Sequence, residues 1–473
     1  MVRATGADTW SAGQGAYARL SEYVGGRRMN GLQALLVVTV VAALAPMIVA
    51  ALPGPGLPQV VVLILAGVLI GPQGLGLAST TGIRLLSDVG LGFLFLLAGY
   101  ELDPRLLRAH AGRLAMIGWA ISAVIAVGAV AILGSFGFLR AYVPIGLALT
   151  TTALGTLLPI LHDNNMLSGQ FGRYVLAAGA VGELFPIVAI SLFLTGRREF
   201  VAIGSILAVG VIAILLVLIP RIIGPARVRA IFRQGRRATS QTTLRWSIVL
   251  LLLLLVAAGK FGLDVVLGAM LAGMVLRSWT HGIEIDVTPL EGKLDAVGYG
   301  LFIPIFFVAS GMALDVTSIV ENPLRLIVFF LLLLVVRGLP SLLVYRRALP
   351  LRQRVEMTFI TATTMPLLIA LAAIGLSTGV MIPANAAALV GAGVLSVLVY
   401  PLIAIAVARR GRTVPAGPDA VLAGVDAAEA GGIVGAARVV GEPSADWETD
   451  PASDHGAHPA GQQPEPGSST AAG

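Results

Sequence analysis

The chain has 473 residues, of which 57% are hydrophobic and 12% are charged, and its mean hydropathy is +0.90. Soluble domains carry about 25% charged residues, so this composition excludes a soluble globular protein. There is no cysteine and there are five histidines, which excludes disulfides and thiolate metal sites and predicts no cofactor. The formal net charge is +7, but the basic residues lie in short loops between apolar runs, a pattern typical of membrane topology and not of nucleic-acid binding.

A polar leader, residues 1–32, precedes a long series of apolar runs. A membrane-spanning helix needs about 20 apolar residues, and thirteen runs in this sequence meet or approach that length. The tenth begins in an amphipathic stretch, Pro289 to Gly298, so twelve spans are an alternative. We predict an all-α polytopic membrane protein whose transmembrane domain covers 33–410. The predicted spans are 33–51, 57–71, 83–100, 113–134, 142–161, 171–195, 201–222, 245–259, 263–278, 297–315, 324–345, 355–376 and 385–408.

The segment after the last span, residues 411–473, is rich in Ala, Gly, Pro, Asp and Glu and has almost no large apolar residues. A segment of this composition buries too little apolar surface to fold, so we predict a disordered tail. It also lacks the G-x-G-x-x-G pattern of a nucleotide-binding regulatory domain.

Three sequence matches indicate an internal repeat. The members of each matched pair lie seven spans apart, so they cross the membrane in opposite directions. We therefore predict two inverted-topology repeats, at about 33–195 and 245–408, joined by a linker helix at about 201–222, which is a mark of secondary transporters. The matched pairs are L-F-L-L-A-G-Y-E-L-D at 94–103 with F-F-V-A-S-G-M-A-L-D at 306–315, Thr151 and Thr152 with Thr363 and Thr364, and 57–67 with 263–273.

The distribution of Lys and Arg predicts the orientation. The loop after the seventh span carries six arginines, and the other odd-numbered loops are also basic, so these loops are predicted to be cytoplasmic. The C-terminus is then cytoplasmic and the N-terminus outside, although Arg27 and Arg28 oppose this assignment. The six arginines are Arg227, Arg229, Arg233, Arg236, Arg237 and Arg245.

Two ionisable residues lie near the middle of predicted spans, Glu183 in the sixth and Arg337 in the eleventh. Such residues are costly inside a membrane and are functional candidates by default. A carboxyl in this setting can hold either a proton or a cation, which favours a functional role for Glu183. For Arg337 a structural ion pair with Glu183 and a role as its charge partner are equally supported, because arginine does not titrate in proteins.

Threonines occupy corresponding mid-span positions in the fifth and twelfth spans: Thr150 to Thr152, and Thr361, Thr363 and Thr364. Each cluster is followed by a proline, Pro159 or Pro366, and Gly155 should loosen the first. Broken helices of this kind can hold ions at the membrane midplane. Packing of the hydroxyls against their own helix is the alternative for either cluster alone, and the symmetry of the two favours a cation site. Acidic residues near span ends, such as Asp264 and Asp315, are more often caps.

Several runs together resemble the bacterial monovalent cation:proton antiporters, in the branch that includes potassium-efflux and sodium/proton exchangers. The resemblance covers about 40–408. The runs are L-P-x-V-V-x-L-I-L-A-G-V-L-I-G-P-Q-G-L-G at 57–76, F-L-F-L-L-A-G-Y-E-L-D-P at 93–104, T-A-L-G-T-L-L-P-I-L-x-D at 152–163, L-G-A-M-L-A-G at 267–273 and I-F-F-V-A-S-G-M-A-L-D at 305–315.

The resemblance implies two crossed, discontinuous helices, here the fifth and twelfth spans, in a core domain that moves against a dimerisation domain. It also implies an essential carboxylate and a basic partner, which fall on Glu183 and Arg337. The sequence departs from the family pattern at two places. Gly182 stands where Asp, Asn or Gln usually precedes the acidic residue, and Leu367 and Leu368 replace an Arg-Gly-Glu run after Pro366.

These observations predict a secondary antiporter, and no enzyme, that exchanges Na⁺ or K⁺ for H⁺ across a bacterial plasma membrane. Thr151, Thr152, Thr363 and Thr364 are predicted to contribute to cation binding, with no metal beyond the transported ion. The lipid bilayer and a second copy of the chain are the expected partners. Two alternatives are an organic-solute transporter on the same inverted-repeat scaffold and a membrane protein that does not transport.

Overall fold

The computed structural model describes residues 31–51, 58–102, 104–137, 142–164, 166–193, 199–223, 241–281 and 288–409. The predicted disordered tail and nearly all of the predicted leader lie outside these residues. The described residues form helices and connecting segments, with no β-strand among them.

The helices follow the predicted spans closely, and we number them α1 to α13 in chain order. Two of them, α5 and α12, are interrupted and are written as halves a and b. Two others contain a π-helical turn: α10 at Gly298–Phe302 and α11 at Leu334–Gly338. The helices are α1 Gly31–Ala51, α2 Gln59–Ile70, α3 Arg84–Glu101, α4 His110–Ser135, α5a Tyr142–Leu149, α5b Leu154–Asp163, α6 Gly169–Phe193, α7 Glu199–Ile223, α8 Thr242–Lys260, α9 Val265–His281, α10 Thr288–Val297 continuing to Met312, α11 Pro323–Leu333 continuing to Val344, α12a Leu351–Ala362, α12b Pro366–Ser377 and α13 Pro383–Arg409.

Within the described part of the chain, nine helices are long and apolar enough to cross a membrane, and three shorter apolar helices accompany them. The chain is therefore a multi-pass membrane protein, as the composition predicts, while the number of thirteen crossings stays a prediction. The amphipathic stretch from Pro289 belongs to α10, which runs without a break into the apolar part of the helix.

The positions of the two helix breaks correct one detail of the sequence analysis. In α12 the break ends at Pro366, as predicted. In α5 it lies at Thr150–Ala153, before Gly155, and both Gly155 and Pro159 lie within the helical half α5b. The threonines themselves, and not the glycine, occupy the first break.

The repeated glycines explain why the two repeats share sequence. A Cβ on Gly67 of α2 would collide with the Val308 carbonyl of α10, and a Cβ on Gly311 of α10 would collide with the Ile64 carbonyl of α2. Gly99 of α3 and Gly273 of α9 approach each other's helix backbones in the same way. Small residues let helix backbones approach closely in membranes, so each repeat contributes one glycine to each of two related helix crossings.

The helices pack into two bundles. In the first, which we call the panel bundle, α3 packs on α9 and α10, α2 packs on α10, and α8 packs on α9. In the second, the core bundle, α4 packs on α6, and α13 packs on α11 and on both halves of α12. The long α7 contacts α6 of the core bundle and α9 of the panel bundle, so the linker helix connects the two.

Candidate functional site

The two helix breaks meet inside the core bundle. Thr151 Oγ1 lies 2.6 Å from Thr364 Oγ1, and the Ala153 N–H donates to the Thr363 carbonyl over 3.0 Å. The three threonine side chains are buried, as is Thr152. The structure therefore brings together the four threonines that the sequence analysis placed at one cation site.

Local bonds explain why α5 opens at its threonines. The hydroxyls of Thr150 and Thr151 donate to carbonyls three residues earlier, over 2.8 and 2.7 Å, and such bonds compete with the helix ladder. The Thr152 N–H leaves the ladder and donates to the Gly182 carbonyl of α6 over 3.0 Å. That carbonyl is available because the residue four positions later, Pro186, has no N–H to donate to it.

A serine supports the second break. The Thr364 N–H donates to Ser396 Oγ of α13 over 3.1 Å. The Ser396 hydroxyl in turn lies 2.8 Å from the carbonyls of both Thr364 and Gly393, and its single proton serves one of them at a time. Ser396 is not among the residues predicted from the sequence, although a small polar residue in the middle of the last span was a usable signal.

The remaining threonine hydroxyls are also used within the core bundle. Thr363 Oγ1 donates to the Phe359 carbonyl over 2.9 Å, and Thr361 Oγ1 lies 2.8 Å from the Met357 carbonyl. Thr152 Oγ1 donates to the Thr361 carbonyl over 2.7 Å and so joins α5 to α12. Their protons are occupied, but the oxygen lone pairs can still face a cation, so cation binding by the threonines stays a prediction.

Glu183 is buried in the middle of α6, with 3% of its surface exposed. Its Oε2 atom has no hydrogen-bond partner within the described part of the chain. Helix α6 contacts α9 of the panel bundle and the linker helix α7. The carboxyl therefore belongs to a helix at the border of the two bundles and offers a free oxygen.

Arg337 is equally buried and lies in the π-helical turn of α11. π-Helical turns are rare in proteins, and those that do occur often lie at functional sites. Its Nε donates to Thr152 Oγ1 and its Nη2 donates to the Ala178 carbonyl of α6, each over 2.9 Å. Between the described side chains of Arg337 and Glu183 there is no hydrogen bond or ion pair. The guanidinium is held by two neutral oxygens instead.

Glu356 is a further buried charged residue, which the sequence analysis did not single out. It lies on α12a, where Arg352 Nε forms an ion pair with its Oε1 at 3.1 Å, and Arg352 Nη2 donates to the Ala408 carbonyl over 2.6 Å. The i, i+4 spacing of Arg352 and Glu356 was the available signal. This pair ties the first turn of α12a to the last turn of α13.

The acidic residues near helix ends behave as caps where the structure describes them. Asp264 Oδ1 accepts from the Val266 N–H over 2.8 Å at the start of α9. Asp315 accepts from the Ser318 N–H over 3.1 Å at the start of a short helix, Val316–Glu321, and its hydrogen bonds with the Ser318 side chain and N–H lower the pKa of this half-buried carboxyl. Both uses agree with the expectation that these residues cap helices.

Known proteins share this architecture. Residues 37–410 match the family model described as "Sodium/hydrogen exchanger, transmembrane". The glutathione-regulated potassium-efflux system protein KefC of Escherichia fergusonii is 28% identical over 318 residues, which cover 65% of this chain and 48% of that protein. The protein of the same name from Shigella flexneri is 28% identical over 60% of this chain and 45% of its own. The chain thus spans about half the length of these curated relatives.

The solved structures give the same fold. The sodium proton antiporter MjNhaP1 from Methanocaldococcus jannaschii at pH 8 has a TM-score of 0.54 and 17% identity, covering 85% of this chain and 98% of its own. An electron-microscopy structure of the same antiporter has a TM-score of 0.59 over 82% of this chain. At this identity the likeness concerns the fold alone. Because the family model matches well over half of its residues, the chain belongs to the sodium/hydrogen exchanger family.

Proposed function

We propose that this protein is a secondary antiporter that exchanges a monovalent cation, Na⁺ or K⁺, for H⁺. The observation that carries the proposal is the buried Glu183 carboxyl, which has an unpartnered oxygen and belongs to the helix that holds the first break. Family membership supports the same activity. The relatives' names mention potassium efflux and sodium–proton antiport, so both ions are candidates.

The chemistry of the exchange rests on one carboxyl. A bare carboxylate is costly in a low-dielectric interior, so Glu183 is most stable when it holds a proton or a monovalent cation. Because the two occupants compete for the same oxygens, release of one accompanies binding of the other. Movement of the core bundle against the panel bundle would expose Glu183 to the two sides in turn.

The other residues have supporting roles in this proposal. Thr151, Thr152, Thr363 and Thr364 supply neutral oxygens around the ion or shape the half-helix ends that face it. Arg337 supplies a fixed positive charge close to the breaks, which lowers the cost of the carboxylate between occupants.

The setting follows from the charge distribution and the family. We place the protein in a bacterial plasma membrane with the C-terminus cytoplasmic and the N-terminus outside, because the most basic loops are those after odd-numbered helices. A homodimer is the expected assembly. With one titrating carboxyl at the breaks, the exchange is electroneutral.

The test is proton flux in vesicles that contain the purified full chain and a pH-sensitive dye. Na⁺, K⁺ and Li⁺ are added in turn to vesicles that hold a pH gradient. We expect at least one cation to collapse the gradient in the wild-type protein and none to do so in Glu183→Gln. A gradient that no cation disturbs would overturn the proposal, and uptake of an organic solute in the same vesicles would support the alternative transporter class.

A further inference from the structure

Gly182 lies next to Glu183 on α6, and its missing side chain leaves a space that other atoms occupy. A Cβ at position 182 would lie 2.6 Å from Arg337 Nη2, 2.6 Å from Thr152 Oγ1 and 2.7 Å from Thr152 Cβ. Contacts under 3.0 Å are not found for real Cβ atoms. The guanidinium of Arg337 therefore sits where a side chain at 182 would begin, and glycine is the residue that permits this.

The two atoms that accept hydrogen bonds from the Arg337 guanidinium are both uncharged. Arg337 bonds to the Thr152 hydroxyl and to the Ala178 carbonyl, one turn before Gly182. Arginine prefers a carboxylate as partner, because the opposite charges attract each other and the planar guanidinium can form two parallel hydrogen bonds with the two carboxylate oxygens. Glu183 nevertheless keeps an unpartnered oxygen. The buried Arg337 guanidinium, held over Gly182 by Thr152 and Ala178, is thus not paired with the buried carboxyl of the adjacent residue, Glu183.

This separation matters for any ion that binds to Glu183. A guanidinium paired with the carboxylate would compete directly with a transported cation, because both are positive and need the same oxygens. A guanidinium held by neutral oxygens leaves those oxygens free. We infer that Gly182 sets the affinity for the transported cation by seating the Arg337 guanidinium away from the Glu183 carboxyl. The inference rests on the proposed antiport function and makes Gly182 a positioning residue.

A neighbouring glycine provides a matched control. Gly179 lies one turn earlier on α6, and a Cβ there would lie 2.6 Å from Leu154 Cδ1, the end of a flexible apolar side chain. The three atoms nearest to that Cβ all belong to Leu154, so an alanine at 179 crowds α6 against α5b first. Gly179→Ala reports the cost of crowding against Leu154, and Gly182→Ala instead displaces the guanidinium of Arg337 and the Thr152 side chain that holds it.

The experiment is a double-mutant cycle on Gly182→Ala and Arg337→Lys, with Gly179→Ala as control. Lysine keeps the positive charge but lacks the planar fork that fills the space over position 182. For each protein we measure the cation concentration for half-maximal exchange in vesicles and the concentration for half-maximal thermal stabilisation in detergent. The second measurement does not require transport, since a ligand that binds the folded state raises its stability.

We expect Gly182→Ala to raise both concentrations about tenfold in the wild-type background and less than about twofold in the Arg337→Lys background, a coupling typical of residues in contact. Gly179→Ala should lower thermal stability and leave both concentrations unchanged. The same rise in both backgrounds, or an unchanged affinity in folded Gly182→Ala, would overturn the inference.

A second variant, Thr152→Ala, keeps the inference testable if the Gly182→Ala protein does not fold. Thr152→Ala removes the hydroxyl that holds Arg337 Nε, and it creates space where Gly182→Ala fills it. We expect Thr152→Ala to raise both half-maximal cation concentrations in the wild-type background and to have no such effect in the Arg337→Lys background. A rise that persists there assigns the effect to a direct ligand role of Thr152 and overturns the seating argument. A wild-type protein that shows no exchange and no stabilisation with any cation would instead overturn the proposed function.

Discussion

The breaks in α5 and α12 are equivalent in sequence, yet they are held by different chemistry. At the first, Thr152 is bound by the Gly182 carbonyl and by the guanidinium of Arg337. At the second, Thr364 is bound by the hydroxyl of Ser396. The first break is therefore held by a buried positive charge, and the second by a neutral side chain.

The repeat offset shows how this asymmetry arises. Leu395 stands 212 positions after Glu183, and Ile125 stands 212 positions before Arg337. The repeat thus duplicates the threonines that open the helices but not the two charged residues. Symmetry builds the scaffold of the site, and each repeat adds one charged residue that the other lacks: Glu183 in the first repeat and Arg337 in the second.

The largest effect is expected from removal of the carboxyl at the first break. Glu183→Gln should abolish cation-driven proton flux while leaving insertion and folding intact, because an amide cannot exchange a proton for a cation. The measurement is dye-reported flux in vesicles beside the elution profile in detergent. Glu356→Gln is the matched control: it changes another buried glutamate, which is paired with Arg352, and should cost stability but retain exchange. Exchange that survives in Glu183→Gln would place the ion site elsewhere.

The next largest effect is expected from removal of Arg337, the charged residue that bonds to Thr152 at the first break. Arg337→Gln removes two charge-assisted hydrogen bonds, each worth about 1.5–3 kcal/mol, so we expect a loss of thermal stability as well as slower exchange. The loss should exceed that of any single change at the second break, because a buried charge holds the first one. Thermal unfolding in detergent, compared between the variants, measures the difference. Equal stability of Arg337→Gln and wild type would show that the guanidinium is not a structural tie.

The sequence predicts the helices well because their apolar runs are long. Each predicted span has a helix whose ends lie within a few residues, apart from the amphipathic start of α10. Pro366 also marks its break, since proline lacks the N–H that would continue the helix ladder.

The support of the breaks was not predictable in the same way. The role of Ser396 depends on contact between α13 and the break in α12, 32 residues earlier in the sequence, and single-sequence patterns do not report such contacts. The seat of Arg337 depends on a π-helical turn and on the space over Gly182. Gly182 departs from the family pattern in the sequence, but only the packing shows which atoms occupy the space that a side chain at 182 would need.

A smaller effect is expected at the threonines where the breaks meet. Thr152→Val and Thr364→Val keep the shape of the side chain and remove the oxygen, so they should weaken apparent cation affinity more than maximal rate. We expect a change of a few fold, measured as the cation dependence of proton flux. Unchanged affinity with only lower protein yield would support a packing role, which their hydrogen bonds between α5 and α12 suggest.

A still smaller effect on cation affinity is expected at Ser396, the uncharged side chain that holds the second break. Ser396→Ala leaves the buried Thr364 N–H without its acceptor, which costs about 1–3 kcal/mol, and should lower stability while leaving cation affinity as in wild type. Ser396→Thr keeps the hydroxyl and tests whether the bond itself matters. If Ser396→Ala lowers cation affinity as much as the threonine changes do, the two breaks contribute equally to the ion site.

The last prediction is an absence of effect, that of the membrane potential. If the first break alone carries a titrating carboxyl, each cycle moves one proton one way and one monovalent cation the other way. Arg337 keeps its charge at any accessible pH and cannot supply a second proton, and Glu356 remains paired with Arg352. A potential contributes about 2.3 kcal/mol per net charge per 100 mV, so zero net charge makes the rate independent of it. Imposing a potassium-diffusion potential during Na⁺- or Li⁺-driven exchange should leave the proton flux unchanged. A flux that follows the potential would show that a second ionisable group carries charge during the cycle. Glu101 and Glu356 are the carboxyls to mutate first in that case.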